Sequence, residues 1–425
     1  MRRLLILTTT TGYQTREFVR AAERLGLEVV FGSDRCHRLD DPWQDGALPL
    51  KFQKPDEAAR KIVEYARTKT LNAIVALGDG TQPAAARACR ELKLPGHPPE
   101  AADVCRDKYR SREALRSAGM NVPEFTRFSL DADPRAIVVD GAPPVGFPCV
   151  LKPLALSGSR GVIRTDDPDS FVAAFKRIRA LLESVDVRAM RQAASDFIQV
   201  ESYVEGIEIA VEGLVDAGRL GVLAIFDKPD PLIGPYFEET IYVTPSRLNR
   251  QTQARVLAAL EDAVGTIGLR HGPMHAELRV NAEGVWVMEV AARSIGGLCS
   301  RALRFVSPAS AEPISLEELI IRLAFGEDIS AFRREPAAAG VMMIPVPEAG
   351  ILTSVEGVEE ARAVPEVNEI IITAKPGQKL VPLPEGSSYP GFIFARGESP
   401  AAVERALRTA HFHLKFIVAP ALPVL

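Results

Sequence analysis

Hydrophobic positions in the amino-terminal part of the chain switch repeatedly between the strand and helix periods. Leu4–Leu7 is a short apolar run followed by the polar Thr8–Thr11, which predicts a buried strand. Gln14–Leu25 carries Phe18, Ala21, Ala22 and Leu25 on one helical face. Glu28–Phe31 and Ile74–Leu77 read as further strands, and Gln82–Leu92 as a helix after the second. Such alternation implies α/β architecture, a parallel sheet with helices on its faces. The cluster Leu94-Pro-Gly-His-Pro-Pro99 closes this block, and Glu335-Pro-Ala-Ala-Ala-Gly340 marks a second boundary. Between them lie helices over Arg110–Ala118 and Asp169–Leu182, and a capping box, Ser315-Leu-Glu-Glu318, that opens Leu316–Phe325. Beyond Gly340, strands Val341–Val346, Val367–Thr373 and Gly391–Ala395 join a helix from Pro400 to Ala410, an α+β pattern. The predicted domains are 1–105, 106–330 and 338–425.

The central block holds the chemistry. The apolar strand before Lys152 ends in that lysine and runs through Ser157-Gly158-Ser159-Arg160-Gly161 into a second strand at Val162-Ile163. Gly158 and Gly161 allow the backbone to fold closely over a ligand, so that successive N–H groups can point at phosphate oxygens. A Walker loop places its lysine after the glycines and before a helix. Here the order is reversed, which puts the glycines in a β-hairpin flap. An ordinary hairpin with a flexible tip accounts for the same residues when they are taken alone.

A second hairpin follows, His275-Ala-Glu277-Leu-Arg279-Val280 and Val285-Trp-Val-Met-Glu289-Val290. With Ala282-Glu283-Gly284 as a three-residue loop, Glu277 stands directly opposite Glu289. A two-residue loop would send the two carboxylates to opposite faces. Like charges facing each other on a sheet are destabilising. A cation compensates them, and Mg²⁺ suits carboxylates that share it with phosphates. Neutralisation by Arg279 or Arg293 is the structural alternative. A third stretch, Glu201-Ser-Tyr203-Val204-Glu205-Gly206-Ile-Glu208, bends between two strands. Its peptide groups can meet an adenine edge, with a nearby carboxylate for ribose hydroxyls.

Composition narrows the partners. The 425 residues carry 51 basic and 55 acidic side chains, a net charge of −4. Nucleic-acid binding usually leaves a basic footprint, so it is not expected. The five cysteines, Cys36, Cys89, Cys105, Cys149 and Cys299, are scattered and unpaired in spacing. They fit a reducing cytoplasm and argue against a disulfide framework or a zinc site. No apolar stretch reaches the ~20 residues of a membrane span. The dinucleotide glycine fingerprint is replaced by Thr8-Thr-Thr-Thr-Gly12-Tyr-Gln, which gives NAD little support. Asp79-Gly80, at the end of a strand, either lines a cleft or makes a turn.

Taken in order, these motifs resemble the ATP-grasp superfamily. The resemblance implies a Rossmann-like amino-terminal domain and a central ATP-grasp domain, with a flap subdomain at about 120–195 and a metal-site subdomain at about 196–330, followed by a small α+β carboxyl domain. It implies ATP with Mg²⁺, for which Mn²⁺ could substitute. Lys108, in Asp107-Lys108-Tyr109, matches the first phosphate lysine and Lys152 the second. Ser157, Gly158, Ser159 and Gly161 match the flap; Glu201, Tyr203 and Val204 match the adenine hinge. Glu208 matches the ribose position, and Glu277 and Glu289 the metal pair. The run Glu289-Val-Ala-Ala-Arg293-Ser-Ile-Gly-Gly297 resembles the signature of the L-amino acid ligases, which make dipeptides. It departs from the commoner Glu-x-Asn ending, because Ala291 takes the asparagine position. Arg293 is then implied to hold the reacting carboxylate and its phosphate. His275 is a candidate acceptor for the amine's proton, or else a structural imidazole. Lys228, Glu238 and Glu239 sit on a loop that could border the substrate. The implied activity is ADP-forming ligation of a small carboxylate to an amine, both expected to be amino acids. A homodimer is left open. Glycinamide ribonucleotide synthesis, biotin carboxylation and a non-catalytic nucleotide-binding regulator share the ATP motifs and are the alternatives.

Overall fold

The computed structural model describes residues 2–9, 14–34, 47–154, 156–189, 193–308 and 312–420. Cys36 and most of the threonine-rich loop after the first strand lie outside them. The amino-terminal sheet has four parallel strands in the order Leu48–Pro49, Glu28–Ser33, Arg3–Thr8, Ala73–Ala76. Alternation along the first strand feeds two cores. Leu4 and Ile6 pack with Phe18, Ala21 and Ala22 of helix Thr15–Arg24, whereas Leu5 and Leu7 pack with Ala58, Ile62 and Ala88. Both faces are therefore covered, as parallel sheets require. The helix Leu316–Ala324 joins the first core from the far end of the central domain.

The flap subdomain is a four-stranded antiparallel sheet ordered Phe125–Ser129, Phe197–Ser202, Cys149–Pro153, Ile163–Thr165. Helix Pro168–Glu183 lies on it and buries Phe171, Phe175, Ile178 and Leu182 against Cys149, Leu151, Ile198 and Val200. The hinge strand Phe197–Ser202 therefore pairs within the flap sheet, although the division at 195–196 would have given it to the larger subdomain.

An eight-stranded sheet forms the other wall of the cleft: Val285–Ala291, Gly272–Val280, Ile207–Asp216, Arg219–Asp227, Ile241–Thr244, Ala338–Met343, Gly391–Gly397, Val367–Ile372. It crosses the boundary near residue 338 without a break, because Ile241–Thr244 pairs antiparallel with Ala338–Met343. The carboxyl-terminal segment thus extends the sheet that carries Glu277 and Glu289, and helix Pro400–His413 covers it through Val403, Ala406 and Leu407.

Candidate active site

The cleft between the two sheets encloses about 410 Å³, within the range of small-molecule sites. It is lined by Lys108, Lys152, Ser157, Gly158, Ser159, Glu201, Tyr203, Val204, Glu208, His275, Glu277, Glu289 and Arg293. Gly161 lies just outside this lining and shapes the flap behind it.

Local structure explains how the basic groups reach the cleft. Asp107 caps the helix Lys108–Ser117, accepting from the Tyr109 and Arg110 amides at 3.0 and 3.1 Å. Lys108 is thereby the first helical residue, two positions before the predicted start. Its Nζ donates to the Leu156 carbonyl (3.2 Å) and lies 3.4 Å from Glu289. Lys152 is buried at the end of its strand, 2.6 Å from Glu201. Burial lowers its pKa, the Glu201 charge opposes this, and the balance falls at about 8. Burial alone would raise Glu201, but Arg112 and Lys152 outweigh it and hold the carboxyl at about 2.

Arg112 went unread in the sequence. It stands one turn beyond Lys108, on the same helical face. Its guanidinium donates to Glu201 (2.8 Å) and to the carbonyls of Val287 (3.1 Å) and Met288 (2.5 Å). One buried cation therefore ties the helix that carries Lys108 to the strand Phe197–Ser202 and to the strand that carries Glu289.

The opposed glutamates are present, for a reason other than the three-residue loop. The loop is Asn281–Gly284, four residues, with the Asn281 side chain accepting from the Glu283 and Gly284 amides at 3.0 and 3.1 Å. This shifts the register by one, so that Val280 faces Val285 and Leu278 faces Val287. A β-bulge at Met288 then restores it, and Glu277 pairs with Glu289. Two residues of the bulged strand oppose one on its partner, so Met288 and Glu289 both line the cleft while Val287 and Val290 stay in the core.

Neither predicted arginine lies within ion-pair distance of these two glutamates. Arg279 bonds Glu208 (2.7 Å) and the carbonyls of Val204 (2.6 Å) and Leu232 (2.7 Å), bracing the hinge. Tyr203 donates its amide to the Pro148 carbonyl (3.0 Å), and its ring stacks on Phe237 at 6.4 Å. Arg293 bonds Asp79 at 2.7 Å, and this attraction outweighs burial and raises its pKa. Asp79 therefore belongs to the cleft rather than to a plain turn. The nearest cations are lysines: Lys228 lies 3.5 Å from Glu277, and Lys108 lies near Glu289.

Lys228 is the centre of an acidic cluster. Carboxylate oxygens of Glu208, Glu239 and Glu277 lie within 4.8 Å of one another. The Lys228 ammonium sits among them, 2.9 Å from Glu208 and also bonded to Glu239. Burial lowers its pKa, but the carboxylates dominate and raise it. Glu208 is thus held by two cations, Lys228 and Arg279. Glu238 is half-buried and, unlike Glu239, does not line the cleft.

His275 lies 3.1 Å from buried Glu212 and 3.9 Å from Glu277. Burial lowers its pKa, yet the hydrogen bond to Glu212 and the nearby Glu277 carboxylate overcome that and raise it to about 9. Glu212 also accepts from the Ile295 amide at 3.0 Å, fixing the loop after Arg293. The carboxyl-terminal domain adds Met343, Ser387 and Tyr389 to the lining, residues that carried no motif.

The residues fit a divalent cation bound with phosphates. The bulge brings Glu277 and Glu289, two hard oxygen donors, to one face of the cleft beside two lysines.

Comparison with known proteins identifies the domains. An ATP-grasp domain model matches residues 145–302, an ATP-grasp N-terminal domain model residues 19–96, and the model of L-amino acid ligase C-terminal domain 2 residues 342–419. The chain thus carries an ATP-grasp domain preceded by an ATP-grasp N-terminal domain. In plan it follows the L-amino acid ligase of Bacillus licheniformis, whose crystal structure superposes with a TM-score of 0.80 at 28% identity over 99% of each chain. An alanine–anticapsin ligase of Bacillus subtilis is 30% identical over 241 residues, spanning 53% of this chain and about half (49%) of that protein. Protein y4rH of Sinorhizobium fredii is 25% identical over 99% of this chain and 84% of its own length. Phosphoribosylglycinamide synthetase of Anaerococcus prevotii shares the fold, with a TM-score of 0.67 at 16% identity.

Proposed function

We propose that this protein is an ATP-dependent carboxylate–amine ligase that joins two amino acids through an acyl phosphate and releases ADP and phosphate. The observation that carries this reading is the meeting, in one cleft, of two phosphate-type lysines, a carboxylate pair and a partly buried arginine anchored by an aspartate. The likeness to an L-amino acid ligase along the whole chain supports the peptide-forming branch.

Lys108 and Lys152 hold the phosphates, and the Gly158–Gly161 flap closes over them. Tyr203 and Val204 border the adenine, with Glu208 toward the ribose. Glu277 and Glu289 would hold Mg²⁺, which would supply charge neutralisation of the phosphates. Arg293, oriented by Asp79, takes the reacting carboxylate; its planar fork matches two oxygens at once. The acid attacks the γ-phosphate in this frame, and the amine then displaces phosphate. Positioning and charge compensation suffice for such transfer, and no protein nucleophile is required. His275 orients Glu277 from its place between that residue and Glu212.

Hydroxylamine tests the intermediate. Supplied with ATP and a competent amino acid, it should trap a hydroxamate, and Arg293→Ala should trap far less. A panel of amino acids that yields ADP but no hydroxamate refutes the acyl-phosphate route.

A further inference from the structure

The flap is not held by its own subdomain alone. The carboxyl-terminal loop 381–389 reaches back across the cleft and meets it at several points. The Gly161 amide, at the flap's base, donates to the Pro384 carbonyl (2.8 Å). Arg160 Nε donates to the Glu385 carbonyl (2.7 Å). Arg177, on the helix that backs the flap sheet, grips the Glu385 carboxylate through two bonds of 2.5 and 2.9 Å. A Cβ placed on Gly158 would meet the Ser387 Cβ at 3.4 Å, so the flap tip lies against the same loop. Ser387 and Tyr389, from the end of that loop, line the cleft itself.

We propose that loop 381–389 is the latch of the flap, and that Glu385 is a positioning residue whose grip on Arg177 keeps water from the acyl phosphate. The inference rests on the ligase reading. Two attacks compete at the acyl carbon. An amine forms the C–N bond, breaks the C–O bond to phosphate and gives up a proton as phosphate leaves. Water forms a C–O bond instead and returns the original acid with phosphate. Both use one ATP, but only the first makes product. A flap tied on both sides disfavours the second.

An exposed ion pair shifts such an equilibrium by up to about fivefold. Glu385→Ala should therefore raise the excess of ADP over amide, small in the wild type, by up to about fivefold, lifting the ADP-to-amide ratio above one. The charge swap Arg177→Glu with Glu385→Arg should bring it back toward one. A purely structural role would lower the melting temperature and leave the ratio at one, which overturns the latch. Hydrogen exchange at the Gly161 amide decides the matter independently of catalysis. Without any ligand it should quicken in Glu385→Ala by a similar factor, and unchanged exchange refutes the latch. Should the wild type form no ADP with any amino acid, the ligase reading fails, while the exchange result still tells whether the loop holds the flap.

Discussion

Removing the carboxylate of Glu201 probes the charge framework most sharply. Its side chain is only 2% exposed, and it compensates Arg112 and Lys152 together. In Glu201→Gln the shape survives while two buried cations lose their partner. Breaking a buried ion pair from one side costs about 3–5 kcal/mol. Lys152 has an escape that Arg112 lacks: it can shed its proton. Its pKa of about 8 already reflects burial against the Glu201 charge, so loss of that charge should push it down further. ATP affinity should then decline at lower pH than in the native protein. In the native protein, ATP affinity should fall as pH rises through about 8. At pH 9, a unit above that pKa, the lysine is about one-tenth charged, a loss of up to about tenfold. Lys152→Arg should flatten this dependence because its charge persists. Equilibrium ATP binding from pH 6 to 9.5 and thermal unfolding of the variant read both effects. A Glu201→Gln protein of native stability, with an unshifted pH profile, would refute the framework.

Three further outcomes follow from the geometry. Glu289→Gln should keep the fold and lower turnover by several orders of magnitude, measured as ADP release at saturating Mg²⁺; near-normal turnover would remove it from the metal site. Asp79→Asn should lower kcat and leave ATP affinity nearly unchanged, since it frees Arg293 from its 2.7 Å anchor. Gly161→Ala should slow turnover and lower thermal stability, because the residue has φ +77° and a Cβ would lie 2.7 Å from Pro153 Cγ.

Local signals carried the reading of the sequence far. Strand and helix periods located the amino-terminal elements, and Gln82–Leu92 is observed with the predicted bounds. Helix Arg250–Ile267, with Val256, Leu260, Val264 and Ile267 on one buried face, was legible in the same way but went unread. The glutamate pair shows a subtler limit. A side-chain turn at Asn281 lengthened the loop and the bulge at Met288 cancelled the shift, so the pairing held although the assumed loop did not. Neither feature has a strong local signature. Ion-pair partners were the least visible, because they are set by tertiary approach. Arg293 finds Asp79, Glu201 finds Arg112 and Arg177 finds Glu385 across long sequence separations. Charge type alone does not choose among such partners.

Nucleotide and amide products, measured together over pairs of amino acids, test the ligase assignment most directly. The account predicts ADP and phosphate formed one for one with a new amide, and only when both substrates are present. Stoichiometric AMP and pyrophosphate would contradict it.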